Sequence, residues 1–186
     1  MRIILASKSP RRREILQNLG LEFEVITADT NEECDITDGA LLAEELSLRK
    51  AKAVADGIEL DDTVVIGCDT VVVCDGKILG KPKDRADAEK MLRMLSGKAH
   101  SVISGLTLIG GGNIITASEE TKVFFDELTE SEIEEYISTD EPYDKAGAYG
   151  IQGLAGKFIG RIEGCYFNVV GLPVNLLYRC LKLLEI

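Results

Sequence analysis

The chain has 186 residues, of which 45% are hydrophobic and 28% charged; that is enough apolar side chain for a packed core and too little length for two large domains. Its 21 Lys and Arg against 32 Asp and Glu leave a net charge of −11, and an acidic body repels a polyanionic backbone, which argues against long nucleic acid as a partner. No apolar run approaches the roughly 20 residues of a membrane-spanning helix. In MRIILASKSPRRR the apolar residues precede the basic cluster, the reverse of a secretory signal, so a soluble cytoplasmic protein is expected.

In chain order, Arg2 to Ser7 reads as a buried opening strand because Ile3 to Ala6 are continuously apolar. A helix is predicted at once, with Ser9 as N-cap, Pro10 at its first position and Gly20 beyond its end. Phe23 to Thr27 suggests a second strand, Ala28 to Gly39 an acidic loop, and Ala40 to Ala55 a helix of strong formers ended by Gly57. Two β-branched runs, Val64 to Cys68 and Val71 to Cys74, flank Asp69-Thr70, and Asp75-Gly76 signals a hairpin into Lys77 to Leu79. Asp84 caps a helix with an apolar stripe at Ala88, Met91, Leu92 and Leu95, stopped by Gly97. Ser101 to Ile109 and Ile114 to Phe125 form a long predicted hairpin around Gly110 to Asn113, with an irregularity expected near Ser118 to Glu120. Thr129 and Glu132 make a capping box for a short helix through Ile137. A glycine-rich loop from Gly147 to Gly156, strands at Phe158 to Ile162 and Tyr166 to Val170, and a helix after Pro173 to about Leu184 complete the reading. Interleaved helices with hairpins predict an α/β (α+β) domain with a mixed twisted sheet flanked by helices.

The cysteines Cys34, Cys68, Cys74, Cys165 and Cys180 contain no C-x-x-C and cannot all pair. All but Cys34 lie in apolar runs and read as small buried hydrophobes, while Cys34 lies in the polar loop and is expected exposed. His100 is the single histidine and opens a strand-like run, so it reads as structural. Any metal must then be held mainly by oxygen atoms, which favours Mg2+ or Mn2+ over zinc.

Three constellations carry chemistry. Ser7-Lys8-Ser9-Pro10-Arg11-Arg12-Arg13 puts backbone N–H groups, a helix N-terminus and guanidiniums at a strand exit. It is either an anion site using Arg11 or Arg12 or both, or an exposed basic turn. Asp69, within VVIGCDTVVV, needs a partner, a metal or a strand end, because an ionised carboxylate in apolar surroundings costs several kcal/mol. Glu32 and Glu33 could add oxygens for a hard cation or belong to a solvated face. Lys50, Lys52 and Lys81 could neutralise phosphates, but Lys50 and Lys52 lie about 200° apart on a helix, so one faces solvent. Gln152, in a glycine-rich loop, offers a paired donor and acceptor for a nucleobase edge, or is plain polar surface. No Walker loop exists, since Gly156-Lys157 is followed by Phe158, and the Gly110 to Gly112 run joins two strands. Leu176, Leu177, Leu181 and Leu184 read as core packing, with a homodimer face as the alternative.

Six segments in order, LASKSPRRREIL (5 to 16), LSLRKAKAV (46 to 54), GCDTVV (67 to 72), LGKP (79 to 82), MLRMLSGKAHSVISG (91 to 105) and EPYDKAGAYGIQG (141 to 153), resemble the Maf family of nucleoside triphosphate pyrophosphatases across nearly the whole chain. The AGAYGIQG form is similar to the branch acting on dTTP and UTP. The resemblance implies a sheet fold like that of the inosine triphosphate pyrophosphatases, a single domain, two lobes around a central cleft being one form of it, and hydrolysis between the α and β phosphates with a divalent cation. It implies Asp69 as proton acceptor, Arg11, Thr70 and Gln152 at positions linked to substrate choice, and Glu32, Lys50 and Lys81 as further polar cleft residues. Glu32 and Asp69 are the expected metal ligands, with Glu32 favoured over Glu33. The alternatives are a pyrophosphatase for modified or N7-methylated purine triphosphates and a nucleotide-binding regulator of cell division, in keeping with the family's link to septum formation.

Overall fold

A mixed sheet crosses the computed structural model, which describes residues 1–184. Its strands are β1 (Arg2–Leu5), β2 (Glu24–Val25), β3 (Thr63–Cys74), β4 (Lys77–Leu79), β5 (Ala99–Gly110), β6 (Asn113–Phe125) and β7 (Ile159–Glu163). They lie in the order β2-β1-β3-β5-β6-β7, with β4 pairing to β3 outside that path. β1 runs parallel to β2 and β3, and every other pairing is antiparallel.

The register on β3 makes the site. Arg2 to Leu5 of β1 pair with Thr63 to Ile66, and Lys77 to Leu79 of β4 pair with Val72 to Cys74. Both neighbours occupy the same edge, because the other edge of β3 pairs with β5 from Val65 to Val73. From Gly67 to Val71 that edge is therefore bare of strand. β1 is parallel to β3 and β4 antiparallel, so both run with their C-terminal ends toward this gap. Ligand sites in open α/β sheets form at such divergences. Here the gap is a fork, with Asp69 and Thr70 in its middle.

Helices cover both faces. α2 (Gly39–Ala55) packs Ala51, Val54 and Ala55 on Ile4, Ala6, Val65 and Ile109. On the opposite face α1 (Pro10–Asn18), α5 (Tyr166–Val170) and α6 (Val174–Leu183) pack Ile15, Leu16, Val170, Leu176, Leu177 and Cys180 on Ile3, Leu5, Val64, Ile66, Leu106 and Leu108. A second core joins α3 (Arg85–Leu95) and α4 (Glu130–Ile137) to the far end of β3 and β5, through Leu92, Leu95, Ile133, Tyr136 and Phe158. Two strand glycines let α2 approach closely: a Cβ at Gly67 would overlap the Ser47 carbonyl and lie 2.8 Å from the Ala51 Cβ, and one at Gly105 would overlap the Ala43 carbonyl. Ser47 and Thr107 also share a buried hydroxyl contact of 2.7 Å beneath that helix.

The runs on either side of Asp69-Thr70 form one continuous strand with Asp69 inside it. Several sequence expectations are corrected. β2 is shorter than Phe23 to Thr27, and the chain leaves β1 after the Ala6 N–H donates to the Ile66 carbonyl. The β5–β6 ladder is unbroken through Ser118 to Glu120; the register shift falls at Phe124/Phe125, against β7. The turns Asp75-Gly76 and Gly111-Gly112 both have positive φ at their two central residues, the twist that two-residue hairpins require.

Tyr166 to Val170 is helix α5, not a strand. Five aromatic and β-branched residues suit either state, and tertiary contacts decide: the buried Asn168 Nδ2 donates to the Val102 carbonyl and to Thr121 Oγ1, both at 2.9 Å. Gly171, at φ +126, ends the turn. Cys165 and Cys34 are each half-buried, rather than buried and exposed. Leu176, Leu177 and Leu184 are buried in the core and Leu181 packs against it, so they do not form a dimer face.

Candidate active site

The fork opens into a cleft of about 1110 Å3. The alternation of β3 sends its two polar residues to opposite faces. Asp69 faces α2, where Lys50 approaches it from one turn beyond Ser47. Lys50 Nζ contacts Asp69 Oδ1 and also lies 2.8 Å from Glu32 Oε1 in the 27–38 loop. Burial works against charge on Lys50, but the field and hydrogen bond of Asp69, joined by Glu32, outweigh it, and the ammonium pKa stands above its ordinary value. The hydrogen bond from Lys50 conversely lowers the Glu32 carboxyl, against desolvation and with help from Lys81 and Arg12.

Thr70 faces the other side, toward α1. There Arg12 is buried and held at all three nitrogens, with two N–H groups left over: Nε donates to the Gly171 carbonyl at 2.8 Å, and its two terminal nitrogens donate to Ser7 Oγ at 3.0 Å and Thr70 Oγ1 at 3.1 Å. Every one of these acceptors is neutral, and among the described residues Arg12 has no ion-pair partner. A fixed guanidinium without a carboxylate leaves net positive charge at the N-terminus of α1, whose dipole has the same sign. Thr70 Oγ1 is itself 2.8 Å from Ser104 Oγ.

Eight of the residues singled out in the sequence, Arg11, Arg12, Glu32, Lys50, Asp69, Thr70, Lys81 and Gln152, line this one cleft. Arg11 reaches across it toward Asp144, at 3.5 Å. Lys81 follows β4 into the fork, and Gln152 stands exposed on the opposite wall. Arg13 and Lys52 point to solvent, as the 100° helical spacing requires. Glu33 lies outside the cleft lining and is exposed, with its carbonyl accepting from Arg49 at 3.1 Å, so of these two glutamates it is Glu32 that lines the cleft.

Other lining residues stand within the quoted segments or loops but carry no separate role in the sequence. Ser7 and Gly171 hold Arg12, and Glu141, Asp144 and Lys145 form much of the far wall. His100 is buried outside the cleft. Its Nε2 is 2.7 Å from the Tyr149 hydroxyl, and burial pushes its pKa down to about 4, so it is neutral and structural. Burial pushes up the Cys68 thiol, which has no nucleophilic character there.

Among the described residues no cluster of three or more His, Cys, Asp or Glu could hold a metal alone. Glu32 and Asp69 nevertheless converge on one point, the Lys50 ammonium. A pair of hard carboxylates fits a magnesium-type cation, which takes one or two protein carboxylates and completes its shell with phosphate oxygens and water.

A family model described as Maf-like protein matches residues 2–184. The chain belongs to the Maf family. Relatives named dTTP/UTP pyrophosphatase include that of Carboxydothermus hydrogenoformans, 50% identical over 184 residues covering 98% of each chain. That of Thermoanaerobacter sp. strain X514 is 48% identical, covering 98% of this chain and 96% of its own. That of Clostridium novyi is 49% identical over 183 residues, covering 96% and 95%. The solved Ham1 protein of Staphylococcus aureus superposes over 98% of each chain with a TM-score of 0.56 at 15% identity, which shows the shared fold. No described helix is long and apolar enough to cross a membrane.

Proposed function

We propose that this protein hydrolyses dTTP and UTP between the α and β phosphates, giving the monophosphate and pyrophosphate, and so clears these nucleotides from the cytoplasmic pool. The observation that carries the reading is the meeting of Asp69, Lys50 and Arg12 in one cleft, with unpaired positive charge beside a carboxylate, in a chain half identical to enzymes of that name. The whole chain acts as one domain whose two lobes face each other across the cleft.

In this mechanism Arg12, the N-terminus of α1 and Lys81 bind phosphate oxygens and neutralise charge as it develops, the main demand of phosphoryl transfer. Asp69 takes one proton from the attacking water. The water oxygen joins one product, and the bridging oxygen leaves with the other. Glu32 and Asp69 would hold Mg2+ or Mn2+; when bound, that cation supplies charge neutralisation and a more acidic water. Lys50 keeps the two carboxylates together in its absence. Gln152 reads the carbonyl and imide N–H of uracil or thymine, with Arg11 and Thr70 bordering the bound nucleotide; burying the amide against a base lacking that pattern leaves polar groups unpaired.

A panel of triphosphates scored for pyrophosphate release tests the reading. dTTP and UTP are expected to lead. Preference for modified or N7-methylated purine triphosphates would overturn the substrate assignment, and binding without Mg2+-dependent turnover would favour a regulatory role in cell division.

A further inference from the structure

The wall carrying Gln152 has no regular strand or long helix. It is a succession of 3-10 turns at Glu141–Asp144, Ala146–Ala148 and Leu154–Phe158, which need support from elsewhere because short turns leave backbone N–H groups without partners. Glu141 supplies it. Its Oε2 accepts from the Leu154 N–H at 2.8 Å, while Oε1 accepts from the Ala155 N–H at 3.4 Å and from the Tyr136 hydroxyl at 3.0 Å. The carboxylate thus caps the Leu154–Phe158 turn from thirteen residues upstream, two positions past Gln152. Tyr136 is buried in the α3–α4 core. Burial, then the charge of Glu141, pushes its phenol above its ordinary pKa, so the hydroxyl remains a donor.

The fit is tight on both sides of Gln152. A Cβ at Gly153 would overlap the Glu141 carboxylate, and one at Gly150 would lie 2.8 Å from the Lys145 side chain. Lys145 in turn donates to the Glu141 carbonyl at 2.6 Å and to Asp144 at 2.5 Å. The Glu141 carboxylate is bound to three neutral donors, two backbone N–H groups of the wall and the Tyr136 hydroxyl of α4, an arrangement suited to holding backbone rather than to proton transfer.

We infer that Glu141 is a positioning residue that anchors the base-reading loop 149–153 to the α4 core and thereby sets base selectivity. The inference rests on the pyrophosphatase reading above. It predicts that Glu141→Ala releases the loop while leaving the phosphate subsites of Arg12 and Lys81 in place.

The test compares dTTP with dCTP, whose pairing edge inverts the donor and acceptor at two positions, and uses inorganic pyrophosphate as a competitive probe of the phosphate end. Glu141→Ala is expected to raise KM for dTTP and UTP about tenfold with a smaller change in kcat, to shrink the dTTP/dCTP preference by a similar factor, and to leave pyrophosphate inhibition within about twofold. Glu141→Gln, which keeps one acceptor, should fall between. Gly153→Ala, which displaces the same carboxylate, and Tyr136→Phe, which removes one donor at nearly constant volume, should move selectivity the same way and provide the answer if Glu141→Ala does not fold. Unchanged KM and preference in these variants, or pyrophosphate inhibition weakening in step with KM, would overturn the inference. A wild-type protein inactive on dTTP and UTP would instead overturn the reading on which it rests.

Discussion

On the floor of the cleft, Asp69 and Thr70 lie in the middle of a twelve-residue strand and Lys50 on a seventeen-residue helix, whereas on the far wall Gln152 lies between 3-10 turns held by a single carboxylate. The floor is positioned by backbone ladders, by close glycine packing and by an Arg12 fixed through three hydrogen bonds. The wall is positioned by side-chain capping. Groups that must meet the anhydride within hydrogen-bond tolerance profit from regular elements, while a base-reading loop can change without disturbing the strand beneath.

The comparison can be broken most severely at Asp69. Asp69→Asn should lower turnover by about a hundredfold or more, the usual range for a lost general base, while a thermal melt stays cooperative with Lys50 still paired to Glu32. Near-normal turnover would remove Asp69 from the reaction. Arg12→Lys comes next. A lysine cannot serve the Gly171 carbonyl, Ser7 and Thr70 together, so kcat/KM should fall about tenfold to a hundredfold, and stability by roughly 1–3 kcal/mol for the buried acceptors left open. Gly67→Ala touches no substrate group but wedges α2 off β3. Overpacking of this kind costs about 1–3 kcal/mol, read as a lower Tm, and activity should fall with it because Lys50 rides on that helix. An unchanged Tm would show that α2 is not held by that contact.

The smallest effect sharpens the division between cleft and core. His100 has its pKa depressed to about 4 by burial. Between the ordinary value near 6.5 and about 4 the unfolded chain binds a proton that the folded chain refuses, so stability falls as pH drops through that window. His100→Gln should flatten that part of the stability profile with little change in kcat at neutral pH. A large loss of kcat would move His100 into the reaction.

Many of the regular elements were legible in the sequence because they leave periodic traces. The helix α3 follows its apolar stripe, the capping box at Thr129 and Glu132 forms as spelled out, and the opposite fates of Lys50 and Lys52 follow from helical spacing. The fork was not legible. It depends on which residues of β3 pair with β1 and which with β4, and that register is tertiary. For the same reason the two apolar runs left open whether Asp69 lies within a strand or at its end. Helix α5 was hidden because its preference is overridden by the buried Asn168 contacts. The role of Glu141 was not legible, although it opens the segment EPYDKAGAYGIQG, since a carboxylate capping a turn thirteen residues away looks like any acidic residue in a loop. The joint placement of Asp69, Thr70 and Gln152 came from the resemblance to the Maf family rather than from their residue types.

The central claim is that the fork breaks the α–β anhydride. A 31P NMR time course of dTTP with the wild-type protein and Mg2+ tests it most directly. The account predicts dTMP and pyrophosphate appearing in equal amounts with no orthophosphate. Formation of dTDP with orthophosphate, or an unchanged dTTP spectrum, would contradict it.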